Sequence, residues 1–252
     1  MTHSTSDTLA SSTIRPTYTI TPQLNHTPRG GAVVEFVLVG RETATAAAEE
    51  APGGVTFLQA DHLAAATAKR AAGGPHTGTA SALVRFDGTL DRTAMVAALT
   101  DMARRHEEWR SIYSVSGATP SRAIAPAELI SFEAVDTGRD LFDQDFVDYV
   151  VDRVAAEALF DVLSGMVFGA AQAEDHFTFY LGSDHGHTDG FSIHAAVAEL
   201  ADLYRTHSGG GLPTIEPAPS FTAYVVGEKT RAAAVTGDDP RVAQWREVLA
   251  HN

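Results

Sequence analysis

The sequence predicts an α/β (α+β) two-layer sandwich, in which helices pack on a mixed, largely antiparallel sheet. Three observations carry that expectation. Ala80, Ala82, Val84 and Phe86 fall on one face of a strand, the period-2 pattern of a half-buried sheet. Two further apolar runs, 166–173 and 176–182, flank the turn Ala173-Glu174-Asp175, as in a hairpin. Helical stripes lie between the strand candidates: Met95, Leu99, Met102 and His106; Phe146, Val150, Val151 and Val154; Ile193, Val197, Leu200 and Tyr204.

In chain order, residues 1–30 are rich in Ser, Thr and Pro without an apolar period, and a flexible tail is expected there. Val33–Val39 reads as a short strand. The Ala/Glu-rich stretch 44–54 ends in Pro-Gly-Gly and reads as a linker. Helical spacing follows over 57–72, with Leu58, His62 and Ala66 or Leu63 on one side, until Gly73-Gly74-Pro75 stops it. Asp87-Gly88 ends the alternating strand, and Asp91 caps the next helix. Strands are expected at 109–115 and 129–135, and a helix at 144–159. In the second hairpin strand Phe177, Phe179 and Leu181 share a face. The helix after Gly190 runs to Ser208-Gly-Gly-Gly, and two more helices are expected at 219–234 and 239–250.

Composition narrows the function classes. The 252 residues carry 18 basic and 32 acidic side chains, a net charge of −14, without the Lys/Arg cluster that a phosphate backbone requires. Nucleic acid is therefore not an expected partner. No run of apolar residues is long enough for a membrane span. The first residues lack the basic start and apolar core of a secretory signal. The absence of cysteine excludes disulfides, thiolate metal sites and a cysteine nucleophile. A cytoplasmic location is the expectation.

The chemistry concentrates in Ser183-Asp184-His185-Gly186-His187-Thr188-Asp189-Gly190. Two histidines and two aspartates follow the apolar strand Phe177-Thr178-Phe179-Tyr180-Leu181 and precede a helix. A strand end beside a helix start holds a short polar loop on rigid elements.

His185-x-x-x-Asp189-Gly190 resembles the HxxxDG signature of the chloramphenicol-acetyltransferase-like superfamily. That group includes nonribosomal peptide condensation domains, carnitine- and CoA-dependent acyltransferases, and polyketide-associated acyltransferases. Condensation domains show HHxxxDG, and Asp184 stands where they have the first His. Arg104-Arg105-His106-Glu107-Glu108-Trp109-Arg110-Ser111 is similar to the RRHExLRT segment of those domains. It follows Leu90-Asp91 and Ala97-Ala98-Leu99, which resemble the run that begins their first long helix. Phe57-Leu58-Gln59-Ala60-Asp61-His62-Leu63 resembles the opening helix of the polyketide-associated branch. The likeness covers about 33–250.

The resemblance implies one lobe of that fold, with residues 31–252 forming an N-terminal lobe and a C-terminal lobe absent. It implies an acyltransferase or condensation-type enzyme of nonribosomal peptide, polyketide or other secondary metabolism. An acyl group would pass from a thioester to an alcohol or amine, giving an ester or amide. His185 would be the general base, suited by an unperturbed pKa of about 6.5. Asp189 would be structural, anchoring the loop through a charge-assisted contact, usually with an arginine. Gly190 would let the backbone approach the reacting centre, where an amide N–H opposes developing charge. Asp184 would either orient a neighbouring group or replace a packing His. No cofactor or metal is implied; acyl-CoA or a phosphopantetheinyl thioester is the co-substrate. The implied partners are a second lobe or chain that completes the channel and an acyl or peptidyl carrier protein.

The remaining candidates read more plainly. His187 points into a neighbouring layer or to solvent, His106 packs on its helical stripe, and His176 and His194 lie at the surface or an edge. Arg110 makes structural salt bridges. Two rival readings stand beside the enzyme. His185-x-His187-x-Asp189 begins the HxHxDH signature of the metallo-β-lactamase superfamily, although Gly190 replaces its last His and the motif comes late in the chain. The other rival is a non-catalytic, binding half-domain.

Overall fold

The computed structural model describes residues 30–250, apart from 118, 210, 212 and 214–217. The tail expected over 1–30 therefore lies outside the described residues, save Gly30.

The elements begin with strand β1 (Gly31–Leu38), helix α1 (Arg41–Ala46), strand β2 (Glu49–Glu50), helix α2 (Phe57–Ala71), strand β3 (Thr79–Asp87) and helix α3 (Arg92–Arg105). A 3-10 turn at Glu107–Arg110 leads into β4 (Ser111–Ser116) and β5 (Thr119–Ile124), followed by β6 (Phe132–Leu141) and α4 (Asp143–Glu157). The chain continues through β7 (Met166–Gln172), β8 (His176–Asp184), α5 (Gly190–Ser208), α6 (Phe221–Ala233) and α7 (Pro240–Ala250).

Five strands form a sheet in the order β3-β8-β7-β1-β6, and every pairing in it is antiparallel. The class expected from the sequence holds, and its layering extends: helices cover both faces of this sheet. On one face α3 and α5 bury Met95, Leu99, Met102, Ile193, Val197 and Leu200 against Val34, Phe36, Phe168, Phe179 and Leu181. On the other, Phe146, Val150 and Val154 of α4 meet Val33, Val167, Ala171 and Tyr180. Each such large side chain contributes about 1.5–3 kcal/mol by leaving water. The double cover explains why β8 is buried along its whole length. Gly182 faces α4, where an added Cβ would stand 2.1 Å from a Val154 methyl. The close approach of α4 to β8 requires a residue without a side chain there.

A small second sheet, β2-β5-β4, sits beside α2, with Leu63, Tyr113, Val55 and Phe160 as its core. Here the sequence reading needs correction. The expected linker at 44–54 is a short helix and an edge strand, with Ala44 and Ala51 buried. Alanine carries no long side chain to display a period, and the burial is set by distant partners. The strand β5 was not anticipated, because Pro120 and polar neighbours mask it. Its one fully buried side chain is Arg122, a residue that ordinarily signals surface. Trp109 and Leu129, expected in strands, belong to the 3-10 turns before β4 and β6. Among the described residues, no helix is long and apolar enough to cross a membrane.

Candidate active site

The interior strand β8 ends at Asp184, and α5 begins at Gly190, so a five-residue turn carries His185 at the sheet's end. The main chain fixes this turn at several points. His185 N donates to the Gly78 carbonyl (2.8 Å) and His187 N to the Asp184 carbonyl (3.0 Å). Asp189 caps α5, its Oδ1 accepting from Ser192 N at 2.7 Å. That bond, with the Ser192 hydroxyl and the Phe191 amide, holds the Asp189 carboxyl below the usual carboxylate range.

His185 is exposed at the mouth of an open cleft of about 660 Å³. Its Nδ1 lies 3.1 Å from the Thr188 carbonyl. A carbonyl only accepts, so Nδ1 carries a proton, and in the neutral ring the lone pair lies on Nε2. His187 also borders this cleft but is held differently. It is buried, its Nδ1 bonds the Glu108 carbonyl at 3.0 Å, and its ring meets Tyr113 edge-on at 4.7 Å. Burial pulls its pKa down to about 4. Gly165 backs this ring: its φ of +53° is left-handed, and a Cβ there would lie 2.1 Å from the imidazole.

Beneath the turn runs a buried polar chain that the sequence did not reveal. Arg122 Nη1 bonds Glu108 Oε1, and the Tyr113 hydroxyl donates to Glu108 Oε2. Gln59 Nε2 donates to the Tyr113 oxygen (2.6 Å) and to the Gly186 carbonyl (2.8 Å). Gln59 also completes a capping box with Thr56 at the start of α2. Arg122 Nη2 reaches Thr222 of α6 at 2.7 Å. Burial outweighs the Arg122 charge and lifts the Glu108 pKa to about 7. The local signal that could have pointed to it is the Thr56-x-x-Gln59 box; the rest is hidden because its members come from five separate elements and the turn.

Glu108 and His187 make opposed contributions to stability. Between about pH 4.5 and 7 the folded state keeps the Glu108 proton that the unfolded state has lost, so this contribution falls as pH rises. Between about 4 and 6.5 the unfolded state holds a proton on His187 that the folded state lacks, so that contribution rises. His187→Gln removes the second term only. Its stability, followed by urea unfolding, is expected to decline relative to the parent by about 1 kcal/mol per pH unit between 4.5 and 6.5, below the ceiling of about 1.4 for one whole proton. Parallel pH curves would contradict this.

The other candidates separate clearly. Asp184 is fully buried and orients neighbours: its Oδ1 accepts from Gly186 N (2.6 Å) and from His62 Nε2 (2.9 Å). Among the described residues no arginine reaches Asp189, and the α5 amides take that place. A Cβ on Gly190 would meet open space, so no neighbour among the described residues demands a glycine there. Arg110 makes no ion pair among the described residues; it donates to the Ala125 carbonyl (2.8 Å), away from the His185 cleft. His106 is not a packing residue but pairs with Glu199 (2.9 Å) on the cleft wall. His194 is half-buried and bonds the Gly190 carbonyl. His176 is buried rather than at the surface, because β8 lies between β3 and β7. His185, His187 and Asp189 do not converge, and no group of three His, Asp or Glu that could hold a metal occurs among the described residues. The HxHxD reading therefore lacks its ligand geometry.

No protein-family model matches the chain. PapA1 of Mycobacterium tuberculosis, named as 2'-acyl-2-O-sulfo-trehalose (hydroxy)phthioceranyltransferase, is 26% identical over 193 residues, which cover 75% of this chain and 37% of PapA1. The structure of a PapA2 acyl transferase superposes with a TM-score of 0.81 at 23% identity, over 93% of this chain and 51% of that one. The first condensation domain of the calcium-dependent antibiotic synthetase superposes at 0.57 and 18% identity, over 74% of this chain and 46% of that one. This chain has the condensation/acyltransferase fold and is related in sequence to the PapA acyltransferases. It spans about half the length of those relatives or less. In that fold the HxxxDG segment of this chain is the β8–α5 turn, and the expected superfamily resemblance holds.

Proposed function

We propose that this chain carries the base of an acyl-transfer site and one wall of its channel. The observation that supports the reading is His185, with Nδ1–H given to the Thr188 carbonyl and a basic Nε2 open at the mouth of the cleft. Nε2 takes the proton of an acceptor O–H or N–H. The freed nucleophile attacks the thioester carbonyl, the C–S bond breaks, and the proton passes to the departing thiolate, giving an ester or amide and a free thiol. Asp189 contributes by capping α5 and so holding the turn. In this reading a backbone N–H beside Gly190 opposes charge on the carbonyl oxygen.

Acyl-CoA or a phosphopantetheinyl carrier protein supplies the donor in this reading, in the cytoplasm and without a bound cofactor. PapA1 is named for a trehalose-based acceptor, a polyol, so an alcohol acceptor and an ester product come first. The second wall comes from further polypeptide or a partner chain. Leu58 and Tyr224 support this, for both line the cleft and are 81% and 54% exposed. The test is to present the protein, with its second wall, with acyl-CoA or acyl-carrier protein and with polyol or amine acceptors. Ester formation from a thioester is expected; no transfer from either donor would reject the proposal.

A further inference from the structure

Both residues that flank His185 are tied to one helix. Gln59 and His62 are three positions apart on α2, so they share a face. Gln59 holds the Gly186 carbonyl after the base, and His62 holds Asp184 before it. Asp184 then closes the grip by accepting from Gly186 N.

The Asp184 carboxylate has no solvent exposure, and such a group depends on its donors. Among the described residues, only His62 and His76 lie within ion-pair distance of it. His76 Nε2 is 3.0 Å from Oδ2 but is not aligned for a hydrogen bond. The His62 bond is therefore the one side-chain hydrogen bond on this carboxylate among the described residues. Because a carboxylate accepts, His62 carries its proton on Nε2. The His62 ring also faces the cleft and meets the His185 ring edge-on, with centroids 6.2 Å apart.

We propose that His62 is a positioning residue for His185. With Gln59, it clamps the turn so that His185 Nδ1 stays on the Thr188 carbonyl and Nε2 stays toward the cleft. Without a donor at position 62 the buried carboxylate is under-satisfied. The turn then moves to solvate it, and His185 loses its fixed partner. The inference draws its functional meaning from the acyl-transfer reading, but its geometry is tested without turnover.

The experiment is a long-range ¹H–¹⁵N spectrum of the ¹⁵N-histidine-labelled 252-residue chain, at a pH where imidazoles are neutral. The His185 signals are identified by their loss in His185→Gln. The parent is expected to show one His185 tautomer, with the proton on Nδ1. His62→Phe keeps the ring volume and removes the donor, and should average the two His185 nitrogens toward a mixture. His62→Gln keeps a donor and should restore the parent signature. His62→Ala admits water at the gap and is read in the same way if the Phe variant does not fold. An unchanged tautomer in both the Phe and Ala variants overturns the proposal. The two readings fail separately. A tautomer that depends on His62, in a protein whose transfer survives His185→Ala, keeps the clamp and removes the acyl-transfer reading. The reverse pair of results keeps the reading and removes the clamp.

Discussion

Arg122→Leu, followed above about pH 8 where Glu108 is ionised in the folded parent, is expected to destabilise the chain by about 3–5 kcal/mol, the range for breaking a buried ion pair by removing one partner. Arg122 has no solvent exposure and lies between Glu108 and Thr222, with its guanidinium over the Phe221 ring at 4.9 Å. Leucine would leave Glu108 buried without its cation. It would also cut the link from α6 through Tyr113 and Gln59 to the turn. Adding Glu108→Gln removes the stranded charge while keeping an acceptor for Tyr113. The double variant is expected to recover at least half of the loss in urea unfolding. Two changes that simply add would show that the ion pair is not the unit that matters.

This network also marks the boundary of what the sequence discloses. Periodicity shows the strands and helices that bury a regular face: Phe177, Phe179 and Leu181 on β8, or Met95, Leu99 and Met102 on α3. The candidate base is legible too, since HxxxDG is local and its spacing is fixed by one turn and one helix start. What holds the candidate base is not local. Gln59 and Gly186 are 127 positions apart, and His62 and Asp184 are 122. No window of sequence brings such pairs together. The errors have the same origin. His176 has the composition of an edge position, yet its strand is covered on both sides. His106 keeps the helical spacing, but the helix ends there and Glu199 from α5 meets it. Arg122 contradicts the usual meaning of arginine because its partner is buried beside it. Alanines 44 and 51 are core residues with too little side chain to announce it.

The second large effect is on catalysis. His185→Gln preserves a polar side chain of similar reach but offers no basic nitrogen. In the protein with its channel complete, transfer is expected to fall by about 10²–10⁴-fold, the usual contribution of a positioned base. The acceptor KM should change little, because the lost interaction belongs to the transition state. Stability should change by no more than about 0.5 kcal/mol, since His185 is exposed and makes one side-chain hydrogen bond among the described residues. The parent and His185→Gln proteins should therefore be compared side by side, at equal folded concentration, by mass spectrometry of the acylated acceptor and the released thiol. Product and thiol are expected in equal amounts from the parent, with a near-complete loss of both from the variant. Undiminished product from His185→Gln would contradict it.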